Sequence, residues 1–291
     1  MASRSVVWGS GAVLFAALFS GACSSARQNV SEQVSAGVPL YDNLGALHHP
    51  ITTASAKAQQ YFDQGLRLVY AFNHEEAIHS FEEAARYNPN AAMAYWGIAL
   101  TLGPNINAPM DRAQERRAYE ALQQALSRRQ RVSSKERAYI EALAARYSSD
   151  PNAKRETLDR AYAKAMREVW ERDPDDSDAG TLFAEARMDL QPWNFWTPDG
   201  CPKGNTEEIV AILERVLTLN PDHPGACHYY IHAVEASQRP ERALPCAERL
   251  PRLVPGAGHL VHMPAHIYLR LGRYREAVER NVHAAAVDQE Y

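Results

Sequence analysis

The residues best suited to chemistry lie between His228 and His266. His228 and His232 are four apart, and so are His262 and His266; the two pairs are offset by one interval, 262 − 228 = 34 and 266 − 232 = 34. Residues four apart on a helix share a face, with β-carbons roughly 5–6 Å apart. Packed helices sit roughly 8–10 Å apart between axes. Imidazoles at facing positions of two neighbouring helices can therefore converge on one ion, and neutral imidazole suits Zn or Cu(II). His259 precedes the second pair, and Glu235 lies one turn beyond His232, where it serves as a ligand, a general base or an orienting partner. The expected metal set is His228, His232, His259, His262 and His266, with Glu235 among or behind them. Two other readings of the same imidazoles stand beside this one: a protonatable groove for an acidic ligand, and plain packing.

Other candidates are weaker. His74 and His79 flank two glutamates, but a five-residue offset puts them off a common face, unlike the HExxH pair of zinc proteases. Tyr229, Tyr230 and Tyr268 fall at ordinary helical spacing and read as core aromatics. Trp193, Phe195 and Trp196 belong to the one substantial irregular insert, Gln191 to Asn205, as a ligand wall or as a cover for the helices. No nucleophile elbow, phosphate loop or dinucleotide fingerprint is present in the sequence.

The elements that must position the histidines are helices. Over residues 58–91, apolar residues recur at helical spacing in two runs, Tyr61 to Tyr70 and Ala77 to Tyr87, split by Asn73-His74. Further helices are expected over 91–102, 112–128, 134–147, 155–172, 177–190 and 206–219. Residues 224–257 and 258–291 form two more units in the register of 58–91. Tyr61, Gly65, Ala77, Phe81, Ala84 and Pro89 together resemble the tetratricopeptide-repeat pattern, whose period is about 34 residues. The resemblance covers roughly residues 55–291. It implies an all-α, right-handed α-solenoid of stacked helix pairs with about five repeats, some degenerate. It also implies that the fifth and ninth residues of each unit, here His228, His232, His262 and His266, project into a concave groove, with His259 beside them. Pro264 either makes the last first helix start near Val261, leaving His259 in a loop, or bends it.

The chain has 291 residues, 23% charged and 46% hydrophobic, the balance of a folded protein. A net charge of −4 without a basic stripe argues against nucleic acid. Residues 1–22 read as a signal peptide: Arg4, then an apolar run from Ala12 to Phe19, far short of the roughly 20 residues that span a bilayer. Ser20-Gly21-Ala22-Cys23 resembles a bacterial lipoprotein signal, with Ser20 where leucine is usual. That resemblance implies lipid attachment at Cys23, export to the periplasm or outer membrane, and a membrane partner through the lipid. Residues 23–54 are then expected to be a flexible tether. Cys201, Cys227 and Cys246 would lie where disulfides are allowed, and the sequence assigns no pair. With no polar cap before Tyr291 to shield the last repeat, the sequence is expected to be a piece of a longer protein.

Two function classes follow. One is an exported scaffold whose groove holds a protein or peptide, an acidic ligand, or a Zn or Cu ion. The other is a metal-dependent enzyme with an open coordination position. Ligand number separates them, since three imidazoles and a water imply catalysis, whereas a closed set implies a structural or storage site.

Overall fold

A computed structural model describes residues 37–290, and the regular elements among them are helices. The signal peptide, the lipid site at Cys23, residues 23–36 and Tyr291 lie outside the described residues. Six helical hairpins follow one another, where the sequence suggests about five: α1 (Ala56–Tyr70) with α2 (His74–Tyr87), α3 (Ala92–Thr101) with α4 (Arg112–Arg128), α5 (Ser134–Ala144) with α6 (Arg155–Arg172), α7 (Ser177–Met188) with α8 (Thr206–Leu219), and α9 (Pro224–Val234) with α10 (Leu244–Leu253). The sixth is a broken helix, α11 (Gly258–His262) and α12 (Pro264–Arg270), with α13 (Tyr274–Glu290). Each second helix also packs on the first helix of the next hairpin, as expected of an α-solenoid of stacked pairs.

Local chemistry sets the boundaries. Ser55, Asp111 and Asp176 accept hydrogen bonds from backbone N–H groups at the starts of α1, α4 and α7. Ser133 and Glu136 form a reciprocal capping box on α5. The first helices α3, α7 and α9 are buried almost all round; α3 is correspondingly apolar on every face, whereas α7 and α9 bury polar side chains, among them Asp178, Glu185, His228 and His232. Close packing relies on small residues. A β-carbon on Gly65 or Gly97 would stand 2.6 or 2.5 Å from the Phe81 ring, so these glycines grip Phe81 from both sides.

The groove that the repeat resemblance implies is occupied. The array curls until α1 touches α9. Residues 37–54, expected to be a flexible tether, instead form an extended strap along the inner helices. Tyr61 and Arg67 of α1 donate to the carbonyls of Val38 and Leu47 (2.7 and 2.8 Å). The Thr52 N–H donates to Glu136 of α5 (2.7 Å), and Gly256 donates to the carbonyl of Asn43 (2.8 Å). Leu44 and His49 of the strap are buried. The physical reason is that the strap carries apolar and hydrogen-bonding side chains enough to satisfy the inner surface. Cys201 is exposed, Cys227 and Cys246 are buried, and all three are thiols. On the outside, Tyr274, Val278 and Val282 form an exposed apolar stripe along α13.

Candidate metal centre

Helix α9 opens with Pro224 at its first position, and the His223 ring accepts the Ala226 N–H at 3.1 Å. That start sets the rotation of α9, which brings His228 and His232 onto one inward face. The facing helix breaks at Met263, because Pro264 has no N–H to donate; His266 then bonds back to the carbonyl of Met263 at 3.2 Å. Of the two outcomes open for Pro264, the chain takes the bend, and His259 is helical rather than in a loop.

The five histidines form a closed ring of imidazoles. Centroid distances are 5.0 Å from His228 to His232, 5.0 Å from His232 to His266 and 4.7 Å from His266 to His262. The ring closes with 6.1 Å from His262 to His259 and 4.9 Å from His259 back to His228. His228 and His232 are wholly buried rather than groove-lining, because the end of α1 and the Trp193 ring cover them; Trp193 meets His232 edge-on at 5.0 Å. His259, His262 and His266 are partly exposed.

The Nδ1 atoms of four rings face groups that only accept. His228 Nδ1–H donates to the carbonyl of Tyr70 (2.7 Å). His232 and His266 donate to the two oxygens of Glu235 (3.1 and 2.8 Å). His262 donates to Asn281 Oδ1 (2.5 Å), while the Asn281 amide nitrogen donates to the carbonyl of Ala277, which fixes the amide's orientation. In all four rings Nε2 therefore carries the lone pair. These Nε2 atoms turn inward: His262 and His266 approach to 2.9 Å and His228 and His259 to 3.0 Å. The Nε2 of His232 is buried without a hydrogen-bond partner. Donor atoms of His228, His232 and His259 all lie within 4.8 Å of one another, as do those of His232, Glu235 and His266. Because both Glu235 oxygens are engaged by Nδ1–H groups, Glu235 sits behind the imidazoles and orients two of them.

Burial disfavours charge on this ring. It pushes His228 well below the usual imidazole range, helped by His232 and His259, lowers His232, and takes His259 down to about 3. Burial pushes Glu235 upward, but hydrogen bonds from His232 and His266 outweigh it and hold the carboxylate at about 2. Neutral imidazoles at His228, His232 and His259, with an ionised carboxylate behind His232, offer the donor set that first-row metals take.

The sequence reading missed the residues that seat these rings. Tyr70 and Asn281 have no signature at sequence level. Phe72 has one: its place in the first unit matches Gly272 in the last (72 − 58 = 14, 272 − 258 = 14), and both have positive φ, 59° and 72°. A second polar cluster was also missed. Asp178 accepts from Tyr70 Oη (2.7 Å), pairs with His49 of the strap (2.7 Å) and meets His223 (3.1 Å). Burial would raise Asp178, yet hydrogen bonds from His223 and His49 hold it well below the usual range; burial would lower His49, but its hydrogen bond to Asp178 together with the charges of Asp178 and Asp176 raises it. With every Asp178 contact made inside the protein, this cluster fastens the strap.

No protein-family model matches the sequence, and neither does any curated protein. Among solved structures, a crystal structure of MamA is 12% identical, covers 78% of this chain and 96% of its own, and has a TM-score of 0.39. MamA from Desulfovibrio magneticus RS-1 is 13% identical over 82% of this chain and 98% of its own, with a TM-score of 0.37. YrrB, described as a TPR protein with an unusual peptide-binding site, is 14% identical over 70% of this chain and 90% of its own, with a TM-score of 0.34. These likenesses concern the stacking of helix pairs and carry nothing about the histidine ring.

Proposed function

We propose that this protein binds a Zn or Cu(II) ion through the histidine Nε2 atoms at the junction of α9 and the α11–α12 pair. The observation that carries the reading is the 2.9 Å approach of the His262 and His266 Nε2 atoms while both Nδ1 atoms are committed to acceptors. Two lone pairs repel at that distance unless a proton or a cation lies between them. Burial keeps His228, His232 and His259 beside them unprotonated, so that their lone pairs are free for the same ion. The test is uptake of Zn and Cu by the chelator-treated full chain. Wild type should bind one ion or two with micromolar affinity or tighter, and His266→Ala should bind far more weakly at unchanged helical content. Wild type that takes up neither metal would defeat the proposal.

A protein partner is a second reading, favoured by the Tyr274, Val278 and Val282 stripe on α13 rather than by the filled concave side. Tyr274→Asp together with Val278→Asp should then abolish capture of that partner and leave metal uptake unchanged. Export and lipid attachment at Cys23 are proposed from the sequence signal; lipid labelling that survives Cys23→Ser would refute the anchor.

A further inference from the structure

An open cleft of about 510 Å³ reaches the imidazole ring. His259 and His262 form its inner wall, and Phe72 its floor. Asn73, Asn107 and Asp288 add polar groups around it, and no lysine or arginine among the described residues lines it.

Phe72 makes this more than a dent beside the ring. It closes α1 with φ of 59°, a conformation that costs a non-glycine residue on the order of 1–3 kcal/mol. The Asn73 N–H bonds to the carbonyl of Leu68 (3.0 Å), as the Arg273 N–H bonds to that of Tyr268 (2.8 Å) in the last hairpin. There, Gly272 makes the same turn without strain, and a β-carbon on it would meet nothing within 4 Å. The first hairpin thus carries a phenyl ring where glycine suffices. That ring stands 4.6 Å from His228 and 5.4 Å from His259, between the buried imidazoles and the cleft.

We propose that the cleft admits a small, uncharged, hydroxyl-bearing molecule that passes between His259 and His262 to coordinate the ion held by the Nε2 atoms, with Phe72 limiting its size; this rests on the metal reading above. The chemistry of the wall selects the class. An anion meets Asp288 and finds no cationic side chain. A protonated amine has no lone pair for the ion and is repelled by it. A neutral hydroxyl offers a lone pair to the ion and a proton to a carboxamide or carboxylate oxygen. Phe72 and Ala284 give its carbon skeleton an apolar surface.

The experiment uses the full chain loaded with Co(II), whose absorption reports coordination, titrated with 1,2-propanediol, sodium acetate and ethylammonium chloride. The diol should shift the bands saturably, and neither ion should do so as tightly. Asn107→Leu and Asp288→Leu, both at exposed positions, should weaken the diol about tenfold, roughly the worth of one hydrogen bond, at unchanged Co(II) stoichiometry. Phe72→Gly should keep the stoichiometry and admit bulkier diols that wild type excludes. If wild type takes up Co(II) but the diol leaves the bands unmoved, or acetate binds more tightly, the cleft proposal falls and the metal reading stands. If Co(II) does not bind, both fall.

Discussion

Acid should destabilise the metal-free protein well before ordinary carboxylates titrate. His228, His259 and His74 are held neutral by burial: His228 well below the usual range, His259 at about 3 and His74 at about 4. In the unfolded chain each titrates near 6.5. Depressed histidines lose stability as pH falls below the unfolded value, because the unfolded chain then binds protons that the fold refuses. At pH 5 each contributes a loss of about 2 kcal/mol, so the three together approach about 6 kcal/mol. That is comparable with the roughly 5–15 kcal/mol that holds a typical domain together. His49 works the other way. Its raised value makes its contribution complete below 6.5 and lost as pH rises through the folded value, so it returns part of the loss. Glu235 and Asp178 both titrate too low to matter at pH 5, whereas burial raises Glu185 and Asp189, which gain stability as pH falls and, like His49, offset part of the loss. Urea unfolding followed by circular dichroism, with chelator present, should show the midpoint dropping steeply between pH 7 and pH 5. A stoichiometric metal ion should restore much of the drop at pH 6, since ligation of Nε2 competes with protons. A midpoint equal at the two pH values, or higher at pH 5, would refute the claim that these rings are buried neutral.

Three further outcomes are expected. Glu235→Gln keeps the size of the side chain but removes the charge behind His232 and His266 and leaves one of their two Nδ1–H groups facing an amide NH2, and should lower metal affinity about 10–100-fold in a chelator competition with a modest loss of melting temperature. Phe81→Ala empties the space between Gly65 and Gly97 and should cost about 3–5 kcal/mol in urea unfolding. Asp178→Asn loosens His49 and His223, so limited proteolysis should cut residues 37–54 faster than in wild type while the hairpins remain protected.

The helices were legible because their signals are local. The bounds expected for 112–128, 155–172 and 206–219 coincide with α4, α6 and α8. The register of the two His pairs was legible too, since a fixed interval between repeats places equivalent residues on neighbouring helices. Burial of the pairs was not. It depends on Tyr70, 158 residues before His228, arriving over α9 when the array closes. The strap escaped for the same reason: Ser- and Gln-bearing sequence near residue 30 suggests a tether, while the value of His49 appears only when α1, α5 and α7 surround it. Nothing periodic marks such residues, and their partners lie far along the chain.

Tyr70 joins the two polar clusters. Its hydroxyl donates to Asp178, which holds the strap through His49; its carbonyl accepts from His228 and so fixes which nitrogen of that ring is free. Gly225 leaves room for the Tyr70 ring, because a β-carbon there would stand 2.5 Å from it. Gly225→Ala must therefore push Tyr70 or α9 aside, at about 1–3 kcal/mol for an overpacked interior. If the clusters are mechanically joined, the same substitution should also weaken metal binding, although Gly225 offers no ligand and lies a turn away from His228. Measured together, a stability loss without any change in metal affinity would separate the strap from the histidine ring; parallel losses would show that closing the array is what sets the ring's geometry.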